Sequence, residues 1–145
     1  MAFTGNFACD VFKTGLMDSV FNFGVGTSQV FKIALYTNSA TLNASTTGYT
    51  TSGEASGPGY TAGGMVLTVN VPPTNVNDIS FLSFGDAIWT GTTITARGAL
   101  IYKADGVTNP AVCVLDFGSD KTTTNGTFKV QFPAATYTSA VIRIS

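Results

Sequence analysis

Histidine is absent from the 145 residues of this chain. That removes the side chain most often used as a general base near neutral pH, the Ser–His and Cys–His nucleophile pairs, and the commonest metal ligand. Charge is scarce as well. Asp, Glu, Lys and Arg make up 10% of the residues, against about 25% in an ordinary globular domain. The seven basic residues, Lys13, Lys32, Arg97, Lys103, Lys121, Lys129 and Arg143, are scattered among eight acids, and the formal net charge is −1. Nucleic-acid binding calls for a basic stripe, and this pattern supplies none. No apolar run approaches the roughly 20 residues of a membrane span. Met1 to Gly5 lacks the basic and apolar regions of a secretory signal. Cys9 and Cys113 are the only cysteines, far apart and without C-x-x-C spacing. They read as two free thiols in packed surroundings, consistent with synthesis in a reducing host cytoplasm.

What is present points to β structure. The apolar fraction is 44%, with 11 Phe and 5 Tyr, so the low charge is not a mark of disorder. Polar surface must come from Thr, Ser, Asn and Gly, and Thr suits a pleated surface because it is β-branched. The length fits one domain, 1–145, able to bury a core without disulfide staples.

The only helix candidate is Thr4 to Val20, capped by Thr4 or Asn6, with Phe7, Val11 and Leu16 at roughly helical spacing and Gly15 weakening its end. Strands are expected at Val30 to Tyr36, Met65 to Val71, Ile79 to Phe84, Thr92 to Lys103, Ala111 to Phe117, Thr127 to Phe132 and Tyr137 to Ile144. Pro72-Pro73 is expected to end the second of these. The run at Ala111 reads as a central strand buried on both faces. Thr37 to Gly64 is a long polar loop, and a loop of that length in a compact domain is usually functional. Asp105-Gly106 marks a turn, and Gly118 to Gly126 a polar hairpin loop. The expected fold is an all-β antiparallel sandwich, or a jelly-roll or barrel-like domain, with a short N-terminal helix or arm over 1–25.

Catalytic and ligand motifs fail on inspection. Asp116 and Asp120 flank one loop, but Asp116 is placed to pair with Arg97 or Lys103 on a neighbouring strand, and paired carboxylates need a shared sugar site. The glycines from Gly57 to Gly64 lack the Lys of a phosphate loop, and a strand follows them, not a helix. The acids do not fall at calcium-loop spacing. No catalytic residue, metal ligand or cofactor is expected. Phe3, Phe7, Phe12, Phe21 and Phe23 crowd the first 23 residues. They form either a small satellite core or an arm that docks on a neighbouring protein, where aromatics are enriched.

Three stretches resemble small virion structural proteins of tailed bacteriophages. They are Phe31-Lys32-Ile33-Ala34-Leu35-Tyr36-Thr37 with Ala40-Thr41-Leu42; Gly53-Glu54 through Gly59-Tyr60-Thr61-Ala62-Gly63-Gly64; and Trp89-Thr90 through Thr95-Ala96-Arg97-Gly98-Ala99-Leu100-Ile101-Tyr102 to Val114-Leu115-Asp116-Phe117-Gly118. The chain is similar to head decoration (cement) proteins, and some such proteins look like tail or adhesin-associated components. The resemblance implies no enzyme. It implies a homotrimer on the capsid surface of the virion that binds the major capsid protein and bridges capsomers. The alternative is a tail module recognising a host receptor or glycan. The contact candidates are Phe3, Phe7 and Phe12 in an arm from Ala2 to Phe12, and Glu54 and Tyr60 in the loop Thr46 to Gly64. On the arm reading, deleting residues 1–12 should abolish shell binding and leave a folded domain.

Overall fold

The computed structural model describes residues 3–145. Its elements run β1 (Phe7–Ala8), α1 (Asp10–Met17), β2 (Phe31–Tyr36), β3 (Met65–Leu67), β4 (Val69–Val76), β5 (Ile79–Phe84), β6 (Ala87–Thr92), β7 (Thr95–Lys103), β8 (Ala111–Thr122), β9 (Gly126–Val130) and β10 (Ile142–Ile144). The named strands pair antiparallel, in a five-stranded sheet of order β1-β8-β7-β2-β3, a three-stranded sheet β10-β5-β4 and a two-stranded ribbon β6-β9. The chain is thus a mostly β, sandwich-like domain with one short N-terminal helix.

The large sheet is covered on both faces. Strand alternation puts Phe31, Ile33 and Leu35 on one face beside Ile101 and Ala99 of β7. There Phe31 lies 6.4 Å from Phe84 of β5, and Phe23 bridges them at 4.3 and 6.1 Å. The other face carries Ala34, Tyr36, Leu100 and Tyr102. It is roofed by the segment 37–64, whose Tyr49 stacks on Tyr102 at 4.9 Å. Each large side chain buried this way contributes roughly 1.5–3 kcal/mol. The central strands β2, β7 and β8 are therefore apolar on both sides, as the run at Ala111 suggested; Ala111, Val112 and Val114 are fully buried.

Several expectations are corrected. The helix begins at Asp10, because Phe7–Ala8 is drawn out to pair with Val114 and Cys113. Extended Cys9, not Thr4 or Asn6, stands at its N-terminus and gives no side-chain cap. Gly15 does not weaken the helix end but permits it: a Cβ there would meet the Phe21 ring at 2.5 Å. Pro72 and Pro73 do not stop β4, which runs through them. β4 is an edge strand, so the missing amides cost no ladder bond at its outer side, and the register shifts between Val71 and Thr74. The final strand is only Ile142–Ile144; before it, the Thr136, Thr138 and Ser139 hydroxyls bond one another and Ser139 bonds the Ala134 carbonyl, folding that stretch into a turn.

The largest correction concerns Thr92 to Lys103 and Gly118 to Gly126. The first is β7 from Thr95 onward, while Thr92 ends a separate strand, β6, that the sequence did not suggest, the two being broken at Thr93–Ile94. The second is not a hairpin loop, for β8 continues to Thr122 and leads into β9. Since β7 pairs with β8 and β6 with β9, the four strands form one long antiparallel ribbon folded over at a corner. Its two halves belong to the two layers of the domain.

The N-terminal aromatics go into the chain's own core, not to a neighbour. Phe3 (1% exposed), Phe12, Phe21 and Phe23 are all buried, with Phe12 edge-on to Phe21 at 5.1 Å. Phe12, Phe21 and Phe23 pack with Phe31 and Phe84 on the face opposite the roof, while Phe3 lies against Gly98.

Candidate functional site

The long segment 37–64 is ordered by a single carboxylate. It first continues β2: Thr37 donates its amide to the Gly53 carbonyl at 2.8 Å and Ala55 to that of Leu35 at 2.8 Å, with a bridge between Tyr36 and Glu54. That pairing sets the half-buried Glu54 beneath the loop. The Tyr49 hydroxyl donates to its Oε2, and the Tyr60 hydroxyl and the Gly63 amide donate to its Oε1, all at 2.7 Å. Tyr60 Oη also accepts the Leu35 amide at 2.9 Å. Tyr102 of β7 donates to the Gly63 carbonyl at 2.7 Å, and Tyr36 to that of Thr50 at 2.6 Å. Glu54 is the chain's only glutamate, and four of its five tyrosines meet around it.

Backbone geometry makes this approach feasible. Gly64 has φ +74°, and a Cβ there would collide with the Ile33 carbonyl, so glycine alone lets the loop lie flat on β2. Burial, with the adjacent Glu54 carboxylate, pushes the Tyr102 phenol up to about 12. Desolvation likewise raises Tyr36, Tyr49 and Tyr60 well above the ordinary phenol range. The phenols are thus fixed as neutral donors. Three short bonds on one carboxylate are charge-assisted and strong. Glu54 acts as a latch holding the roof on the sheet.

Four of the seven remaining acids also bond within the chain. Asp116 Oδ1 accepts from Arg97 Nε at 3.2 Å, one of the two pairings the sequence offered, and from the Gly118 amide at 2.8 Å. Asp86 pairs with Lys129 at 3.1 Å and Asp10 with Lys13 at 2.8 Å. Asp105 Oδ1 takes the amides of Val107, Thr108 and Asn109, closing the β7–β8 turn and holding its carboxyl below the usual range, the Asn109 amide contributing most. Among the described residues no group of three or more Cys, Asp or Glu is gathered for a metal ion. Among the described residues no helix is long and apolar enough to cross a membrane.

Of the five contact candidates, Glu54 and Tyr60 are brought together, but facing inward. Phe3 and Phe12 are core residues with 1% and 4% exposure and offer a partner almost nothing. Phe7 is half-buried on β1. Ala2, the start of the expected arm, lies outside the described residues. Sequence reasoning missed Tyr36, Tyr49 and Tyr102. The signal was available: one glutamate in a long loop, with tyrosines inside the loop and at the ends of flanking strands. No family model, no curated protein and no solved structure matches this chain.

Proposed function

We propose that this chain is a virion structural protein of a tailed bacteriophage, a capsid decoration protein that binds the outside of the head as a homotrimer and bridges capsomers. The observation that carries the reading is how its acids are used: Glu54, Asp105, Asp116 and Asp86 each hold the chain's own loops and strands. The stretches that resemble decoration proteins are the same scaffold, namely β2, the latched segment 53–64, and β6 through β8. A clamp on a pressurised shell must be stiff, and a long loop tied to its sheet by a charge-assisted latch supplies stiffness. With Phe3 and Phe12 committed to the core, the contacts fall to the outward-facing residues of the latched loop, Thr47, Thr50, Thr51, Ser52 and Ser56, all exposed. Such hydroxyl-rich contacts are wet and individually weak. Interfaces of roughly 1,600 Å² and the avidity of a trimer make them sufficient.

Adding the purified protein to heads that lack it, followed by electron-microscopy reconstruction, tests the role. Density repeating with the capsid lattice is expected. A few copies at one vertex would move the protein to the tail, and no particle association would end the proposal.

A further inference from the structure

The corner of the folded ribbon holds the chain's only Asn-Gly step, Asn125-Gly126. Asparagine is chemically labile, and most so before glycine, where the next amide nitrogen can close on the side-chain carbonyl with no Cβ in its way. Local structure decides whether it does. Asp105-Gly106 is the comparable aspartyl step. There the carboxylate accepts the Val107, Thr108 and Asn109 amides at 2.9, 3.0 and 2.8 Å, and the Gly106 amide donates to Asn109 Oδ1 at 3.0 Å. Both groups that would react are tied down, and an ionised carboxylate is a poor electrophile besides. At Asn125 only the backbone is held: its amide donates to Thr93 Oγ1 at 3.0 Å, while its side chain makes no hydrogen bond among the described residues. Asn125 is exposed and lies in the stretch 123–125, between the last pair of β8 with β7 and the first of β9 with β6. A Cβ built on Gly126 would meet nothing closer than the Thr124 carbonyl at 3.7 Å, so the surroundings of the attacking nitrogen are open.

We propose that Asn125 is a site of spontaneous deamidation, a slow clock built into the ribbon corner. The Gly126 amide nitrogen, having lost its proton to hydroxide, attacks Asn125 Cγ. The N–Cγ bond forms, the Cγ–Nδ2 bond breaks, and the side-chain nitrogen leaves as ammonia. Water then opens the cyclic imide. Cleavage of the new N–Cγ bond gives aspartate. Cleavage of the bond to the main-chain carbonyl carbon of residue 125 gives isoaspartate, in which the chain runs through the former side chain. No redox change is involved. Either product adds one negative charge to a chain of net charge −1. Isoaspartate also inserts a methylene between two anchored points: the Asn125 amide on Thr93, and the Gly126 carbonyl on the Thr92 hydroxyl at 2.9 Å. The lengthened path displaces one of these bonds, and the corner that joins the two layers loosens with age. Aspartate alone is mild, because it tolerates the left-handed conformation that Asn125 adopts at φ +47°. The site is independent of the decoration role, since it needs only water and time.

The test is to age the native protein in mildly alkaline heavy-oxygen water, beside a sample unfolded in urea, and to map label and isoaspartate by mass spectrometry. Label is expected at residue 125 ahead of every other asparagine and not at Asp105, with isoaspartate the larger product and conversion faster as pH rises. Gly126→Ala should slow conversion severalfold; its Cβ has room, so the variant keeps its fold. Aged protein should unfold at lower urea than fresh protein, whereas Asn125→Asp, which carries the charge without the extra methylene, should keep the fresh midpoint. No conversion of the native protein by the time the unfolded sample has converted fully would overturn the proposal. So would earlier conversion at another asparagine, or an isoaspartate form as stable as fresh protein.

Discussion

The Thr92 hydroxyl lies 2.7 Å from that of Thr123 and donates at 2.9 Å to the Gly126 carbonyl, in a position with no solvent exposure. This contact holds the corner where the ribbon leaves one layer for the other. The ladder lapses between Thr92↔Gly126 and Thr95↔Thr122. The groups released there need partners, and hydroxyls supply them: Thr123 Oγ1 accepts the Ile94 amide at 3.4 Å and Thr93 Oγ1 the Asn125 amide at 3.0 Å. Thr92→Val keeps the shape and removes the bonds. It should cost about 1–3 kcal/mol, the range for a buried polar group left unmatched, measured by urea denaturation. Thr95→Val, at an exposed pair, should be nearly silent.

The roof latch predicts coupling. Tyr60→Phe removes a donor to Glu54 and an acceptor for Leu35, and should cost about 1–3 kcal/mol. Glu54→Ala should cost at least as much, since Tyr49, Tyr60 and Gly63 all lose their acceptor. The double variant should cost less than the sum of the two, because both changes break one network. Strict additivity would show that the loop is held elsewhere.

The tyrosines set an alkaline limit. Their folded-state values lie above the unfolded value near 10, so the stabilisation they give is complete below pH 10 and is lost as pH rises through the folded values, beginning with Tyr102 at about 12. Cooperative unfolding above pH 10 is therefore expected, with phenolate absorbance from the buried rings appearing in the same transition as loss of β circular dichroism. Phenolate absorbance that rises well before the fold is lost would contradict a buried phenol cluster.

Both thiols are buried, and burial raises Cys9 to about 11 and Cys113 to about 12. A thiol reagent at pH 8 should leave the native protein essentially unmodified and label two thiols once urea unfolds it. Rapid labelling of either in the native state would mean that β1 frays from β8.

The N-terminal segment is predicted to be structural. Phe3→Ala should cost about 3–5 kcal/mol as a deleted core aromatic, and removal of residues 1–12 should lower the melting temperature sharply. An intact, equally stable truncated domain would restore the docking-arm reading. The ring of Phe3 sits against Gly98, where a Cβ would overlap it, so Gly98→Ala should be similarly damaging.

The parts that could be read from sequence were those governed by local alternation. Phe128 and Val130 point inward and Thr127 and Lys129 outward on β9, as the pattern of that segment required. The continuous apolar run at Ala111 did correspond to a strand covered on both sides. What stayed hidden depended on partners distant in sequence. Pro72 and Pro73 are harmless only because β4 is an edge and its pairing with β5 lapses between Val71 and Thr74, and Phe3 is interior only because Gly98 leaves room for it. The break at Thr93 makes sense only once β9, not β8, is seen beside β6. For the latch, the residues were visible but not their direction: Glu54 and Tyr60 were singled out as outward contacts, and the pairing of Ala55 with Leu35 turns them in.

Phe7 pairs with Val114, and β2 with β7. On a ribosome, residues 1–48 therefore emerge with six phenylalanines and few strands to receive them: β2 can meet β3 early, but its other edge waits for β7, and β1 waits for β8. The large sheet can be completed only once residue 114 has been made. Pairing across so long a separation favours slow folding, with apolar surface exposed until the partner strands arrive.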